Sequence, residues 1–118
     1  MTAEELSKII VKGMEEKKAS DIVVMDLREI SGSITDFFVI CSGSSDTQIE
    51  GISKSVEDEV SKSNKERPWK SEGKTNRQWI LMDYVHVVVH VFQKHIREYY
   101  DIESLWGDAK TVTIQTSY

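Results

Sequence analysis

QWILMDYVHVVVHVF, Gln78 to Phe92, is the stretch whose reading decides the fold of this chain. Apolar residues dominate it, valines crowd its second half, and Tyr84-Val85-His86 interrupts it. That pattern predicts two antiparallel strands joined by a tight two-residue turn at Val85-His86. The register then sets Tyr84 opposite Val87, Asp83 opposite Val88, Met82 opposite Val89 and Leu81 opposite His90. Side chains alternate along a strand, so the hairpin has two unlike faces. Ile80, Met82, Tyr84, Val87, Val89 and Val91 form a plain core face. Trp79, Leu81, Asp83, Val88, His90 and Phe92 form the other, with an acid, an imidazole and an indole among apolar neighbours. Burying such groups without partners costs about 1–3 kcal/mol each, so this face is expected to pair them or to use them.

The flanking sequence supplies the rest of a small mixed domain. Thr2 and Glu5 have capping-box spacing at the head of a helix whose buried stripe is Leu6, Ile9, Ile10 and Met14. Asp21 to Arg28 and Ile34 to Ser42 read as strands, apolar on both faces, separated by a turn at Ser31-Gly32-Ser33. Ser45, with Gln48 three residues on, caps a second helix that buries Ile49, Ile52, Val56 and Val60 and shows an acidic outer surface. Lys62 to Arg77 carries six bases and the only proline, and reads as a short edge strand with an exposed loop. After Phe92, Ile96, Tyr99, Tyr100 and Leu105 predict a short helix and a final turn ended by Gly107. Thr111 to Tyr118 is polar and β-prone and is expected to fray, which draws the domain at 1–110 with a C-terminal tail at 111–118. The order α-β-β-α-β-β-β-α predicts an α/β (α+β) fold, a small mixed β-sheet with helices packed on it.

Composition narrows the function classes. The chain has 118 residues, 39% hydrophobic and 30% charged, enough for one domain with a modest core. No apolar run approaches the roughly 20 residues that span a bilayer. The segment MTAEELSKII has acids where a signal peptide has bases, so a cytoplasmic protein with no membrane partner is expected. The net charge of −5 disfavours phosphate-backbone binding as the main source of affinity and suits a basic protein partner.

No chemistry-bearing constellation stands out. His86 and His90 point the same way on a strand but lie about 13 Å apart, too far for one ion, so no metal or cofactor is expected. The lone Cys41 excludes an internal disulfide and reads as a buried small hydrophobe. Gly43-Ser44, between a strand and a capped helix, is a weak phosphate signal because no P-loop lysine follows. Asp83 and His90 are diagonal neighbours, where a carboxylate would favour the imidazolium. They are either a satisfied polar pair under a helix or the border of a partner site. No nucleophile accompanies them. Tyr99 and Tyr100 are adjacent on a helix, so at least one is half exposed or at an interface.

Three blocks, ITDFFVICSGSSDTQI, WILMDYVHVVVHVF and REYYDIESLWGDA, resemble the ribosomal silencing factor family, also called RsfS or Iojap-related. The resemblance runs from about Leu6 to Ala109. It implies a nucleotidyltransferase-like fold, a homodimer when free, and no enzymatic activity. It also implies binding to the large ribosomal subunit through ribosomal protein number fourteen of the L series. That binding blocks joining of the small subunit and represses translation. The Asp-x-Asp pair that two-metal nucleotidyltransferases need occurs nowhere in the chain. Matched position by position, the resemblance implies a partner-facing set of Trp79, Asp83, His90, Tyr100, Leu105 and Trp106. It departs at the turn, where the family commonly has Tyr-Gly-Asp and this chain has Tyr84-Val85-His86. Valine suits a positive φ poorly, so another turn type is expected. The basic Lys62 to Arg77 segment is either a solvated loop or a minor contact to ribosomal RNA. A large-subunit assembly factor and a degenerate nucleotide-binding protein are the alternative functions.

Overall fold

The computed structural model describes residues 1–118. It holds one six-stranded sheet with helices on both faces. Helix α1 is Ala3–Glu16 and is followed by β1, Ser20–Asp26, and β2, Phe37–Gly43. Helix α2 is Asp46–Asn64, and β3 (Lys70–Glu72), β4 (Trp79–Asp83) and β5 (Val87–Gln93) come next. Two short helices, α3 (Lys94–Tyr100) and α4 (Ile102–Leu105), lead to β6, Lys110–Thr113. The strand order is β3-β4-β5-β2-β1-β6. Only β2 and β5 run parallel, and the other four pairings are antiparallel.

The helices begin where the capping chemistry places them. Thr2 and Glu5 exchange both capping-box bonds at 3.1 Å. At α2, Ser45 Oγ accepts the Gln48 N–H, but Gln48 Oε1 reaches past Ser45 to the Ser44 N–H at 2.7 Å, so the reciprocal box is displaced by one residue. Helices α1 and α2 cross closely at Gly13, where a Cβ would sit 2.8 Å from Val56 Cα, and the buried Ser55 hydroxyl donates to the Gly13 carbonyl at 2.7 Å. A side chain at position 13 would push the two helices apart.

The hairpin pairs as its pattern predicts: Asp83 with Val88, Met82 with Val89, Leu81 with His90, Ile80 with Val91 and Trp79 with Phe92. Its plain face joins Leu6, Ile10 and Met14 of α1 and Ile49, Ile52, Val56 and Val60 of α2 in the main core. The opposite face carries a smaller cluster, Val23, Met25, Leu27, Ile40 and Phe92, covered in part by Ile96, Ile102 and Trp106. Strands β1 and β2 feed both clusters, which explains why they are apolar on both sides.

Two expectations are corrected. The second strand starts at Phe37 because Thr35 and Asp36 serve the neighbouring turn, Thr35 Oγ1 donating to the Val85 carbonyl and Asp36 N–H to that of His86. The expected fraying after residue 110 does not occur, since Lys110–Thr113 pairs antiparallel with Val23 to Asp26 as an edge strand. The Tyr118 hydroxyl then donates to the Ala19 carbonyl at 2.6 Å. Its signal, the alternation in KTVT, is short and polar, and only the free edge of β1 gives it a partner.

Candidate docking face

The second face of the hairpin carries a continuous row of rings. Trp79 opens β4, and its indole N–H donates to His90 Nδ1 at 3.1 Å. The Trp79 ring stacks on Phe92 at 4.7 Å and meets Tyr100 of α3 at 5.1 Å. Phe38 of β2 sets an edge-to-face contact with His90 at 4.7 Å and a second with Trp106 at 5.9 Å. The row therefore runs Tyr100, Trp79, His90, Phe38, Trp106 across three strands and the two short helices. Each well-oriented ring pair adds about 0.5–1.5 kcal/mol beyond the area it buries, so the row is a rigid surface.

Its members differ in access. His90 is 4% exposed, whereas Trp79 and Trp106 are half-buried. Tyr100 is 53% exposed and Leu105 77%, a large apolar side chain left open beside Trp106. Tyr99 is exposed as well, in edge-to-face contact with Tyr100 at 5.0 Å. Apolar and aromatic groups presented together on a fixed scaffold are what the centre of a protein interface is made of.

Arg97 anchors the two short helices that carry Tyr100, Leu105 and Trp106. Its guanidinium makes a fork to Glu103 at 2.7 and 3.2 Å. It also donates to the Asp21 carbonyl at 2.7 Å and to Ser42 Oγ at 2.8 Å. One side chain thus ties α3, α4, β1 and β2 together, as a planar five-donor group can. Between the helices Asp101 adopts a left-handed conformation, and its carboxylate accepts the Ser104 hydroxyl at 2.7 Å.

Asp83 and His90 do not pair, which corrects the carboxylate–imidazolium expectation. His90 has two diagonal neighbours on β4, and its Nδ1 takes the indole of Trp79. Asp83, at the strand end, spends Oδ1 on the Val85 N–H two residues on, at 2.7 Å, a local bond that costs little chain entropy. With no carboxylate beside it, burial alone pushes the His90 pKa down to about 3, and the ring is neutral. Because Nδ1 accepts, the proton sits on Nε2, which is buried with no hydrogen-bond partner.

The turn is of another type, as expected, but it does not spare the valine a positive φ. Val85 does take a positive φ, +76°, and His86 N–H bonds the Tyr84 carbonyl at 3.0 Å, a γ-type turn inside the two-residue connection. Neighbours hold it there: the Asp83 carboxylate takes the Val85 N–H, Thr35 donates to the Val85 carbonyl at 3.0 Å, and Asp36 and Phe37 N–H both reach the His86 carbonyl.

The remaining candidates are occupied otherwise. The Ser44 N–H and hydroxyl both bond Gln48 Oε1 and the Gln48 N–H bonds Ser45, so the helix end beside Gly43 spends these donors internally. Cys41 is fully buried, and burial pushes its thiol up to about 12. Of the six bases between Lys62 and Arg77, four pair with acids: Lys62 with Glu59, Lys70 with Glu72, Lys74 with Glu57, and Arg77 with Glu50. Phe38 and Arg97 are the site residues that the sequence reading missed. Phe38 lies in a strand apolar on both sides, where alternation cannot say which face matters; Arg97 is one base in a charged helix, and only the packed structure shows what it bridges.

Residues 1–117 match the family described as ribosomal silencing factor during starvation. Relatives named ribosomal silencing factor RsfS include one from Bacillus subtilis, 39% identical over 92% of this chain and 91% of its own length. Another, from Halalkalibacterium halodurans, is 38% identical over 98% of this chain and 97% of its own. A protein from Chromobacterium violaceum solved by crystallography is similar at a TM-score of 0.85 and 30% identity, covering 99% of this chain and 97% of that one. Near-complete coverage in both directions, together with the fold, makes this chain a member of the ribosomal silencing factor family.

Proposed function

We propose that this protein binds the large ribosomal subunit through L-series ribosomal protein fourteen and sterically blocks joining of the small subunit, so repressing translation. The observation that carries this reading is the half-open aromatic row with Tyr100, Leu105 and Trp106 projecting beside Trp79. It supports docking to another macromolecule because its polar groups are either satisfied within the protein or neutral, so a partner can cover it without stranding a charge. Trp79, Tyr100, Leu105 and Trp106 are the direct contacts, and Asp83 supplies a carboxylate at the rim. The acid excess of the chain suits a basic ribosomal protein and disfavours bare RNA. The mechanism is steric, in a cytoplasmic setting, and needs no cofactor and no reaction; a homodimer would be the free form.

Adding the protein in excess to dissociated subunits tests the proposal. Reassociation should fall, and the protein should cosediment with purified large subunits; unchanged reassociation sinks it. An assembly role would instead show as immature large subunits in sedimentation profiles when the protein is missing. Titration of labelled nucleotides with magnesium is expected to give no micromolar saturation, in line with the Ser44 and Gln48 N–H groups beside Gly43 being bonded within the chain.

A further inference from the structure

We infer that His90 is a positioning residue for the docking face: it never touches the partner, and it acts by holding the indole of Trp79 in one orientation. The inference rests on the docking reading above and deepens it. His90 is 4% exposed, between Phe38, Phe92 and Trp79, so no partner side chain reaches its ring. What it offers to the surface is one acceptor, Nδ1, which takes the Trp79 N–H at 3.1 Å.

The choice of histidine here is costly for folding alone. With Nδ1 accepting, the ring keeps its proton on Nε2, and that buried N–H has no acceptor. A phenylalanine would fill nearly the same space among the same rings with no orphaned donor. The one thing phenylalanine cannot do is accept the indole N–H. Without that acceptor, half-buried Trp79 satisfies its N–H by turning it toward water, which breaks its stacking on Phe92 at 4.7 Å and its contact with Tyr100 at 5.1 Å. The histidine therefore trades an unpaired buried donor for a fixed tryptophan, and a fixed anchor loses less entropy on docking.

The test compares His90→Phe, His90→Asn and wild type in the full-length protein. Asparagine is the rescue variant, because its side-chain oxygen falls near the position of Nδ1. Three readouts are needed: thermal stability, solvent exchange of the Trp79 indole N–H by 15N NMR, and cosedimentation with purified large subunits. Chain-wide there are three indole resonances, so Trp79→Phe identifies the one in question. For His90→Phe the expected result is unchanged or raised melting temperature, indole exchange faster by about tenfold or more, and affinity weaker by about tenfold. His90→Asn should restore indole protection and part of the affinity. Retained indole protection in His90→Phe overturns the inference, and so does lost protection with undiminished affinity. If wild type fails to cosediment, the docking reading falls, and the indole readout alone decides whether His90 holds Trp79.

Discussion

The two sides of the central sheet bury their side chains by different means. Under α1 and α2, Ile80, Met82, Val87, Val89 and Val91 have no exposed surface at all. Helices of 14 and 19 residues are long enough to seal that side, and its buried polar groups are hydroxyls only, those of Ser7, Ser53, Ser55 and Tyr84. On the other side α3 and α4 have seven and four residues and cover only part of the sheet. There the chain uses rings in place of aliphatic groups and pairs most of its polar atoms, Trp79 with His90 and Asp83 with the Val85 N–H, leaving His90 Nε2 alone buried without a partner. A surface left open by short helices, with its exposed polar groups already paired or at the rim, can exchange water for a partner at small desolvation cost. On the proposed reading, stability and docking fall on opposite faces of one hairpin, and each face can be struck separately.

The largest effect is expected on the sealed side. Met82→Ala should cost about 2–5 kcal/mol in urea unfolding, because a fully buried side chain leaves a cavity among Val89, α1 and α2. Leu105→Ala, on the open side, should shift stability by less than about 0.5 kcal/mol while weakening cosedimentation with large subunits. A Leu105 variant as unstable as the Met82 variant would erase the distinction between the faces.

Next in size is Asp83→Lys, expected to weaken partner binding by about 2 kcal/mol or more with the fold intact, as circular dichroism would confirm. The structure shows why lysine alone is an ambiguous probe: it also removes the bond to the Val85 N–H. Asp83→Asn keeps an oxygen for that bond and removes only the charge. If asparagine binds like wild type while lysine does not, repulsion and turn damage, not a lost attraction, explain the lysine effect.

Acid should probe the open side. Burial lowers the folded pKa of His90 from 6.5 to about 3, so between those values the unfolded chain binds a proton that the folded one refuses. The contribution is fully present above pH 6.5 and is lost as pH falls, by about 2 kcal/mol at pH 5. His90→Phe should flatten this part of the stability–pH curve. If both proteins lose stability equally between pH 6.5 and 5, other groups govern the decline.

Much of this arrangement was legible in the sequence. The hairpin register, both helix caps and the contrast between its faces follow from alternation and capping, which are local rules. What stayed hidden depended on which of several equivalent local options the packed chain takes. His90 had two diagonal neighbours of fitting chemistry, and its Nδ1 takes the indole N–H of Trp79 while Asp83 Oδ1 takes the nearer Val85 N–H. Strand β6 needed the free edge of β1, and Phe38 needed the parallel pairing with β5 to be placed in the ring row. The proposed partner set likewise came from resemblance, since sequence does not show the burial that separates His90, 4% exposed, from Leu105, 77% exposed.

Val85→Gly is the smallest and most discriminating change. A β-branched residue at φ +76° stores strain of about 1–3 kcal/mol, and glycine removes it at some cost in unfolded-state entropy. The net expectation is a gain of about 1 kcal/mol in unfolding free energy, with the hairpin register unchanged. Val85 is also half exposed, one residue beyond Tyr84 at the end of the sheet and not in the ring row. If docking is confined to the row, Val85→Gly should bind large subunits as well as wild type does. An affinity that falls while stability rises would mean that the docking surface wraps around the turn, and that the strain is kept to present an apolar side chain there. The division between a face for folding and a face for docking would then run through Asp83 and Val85, at the tip of the hairpin.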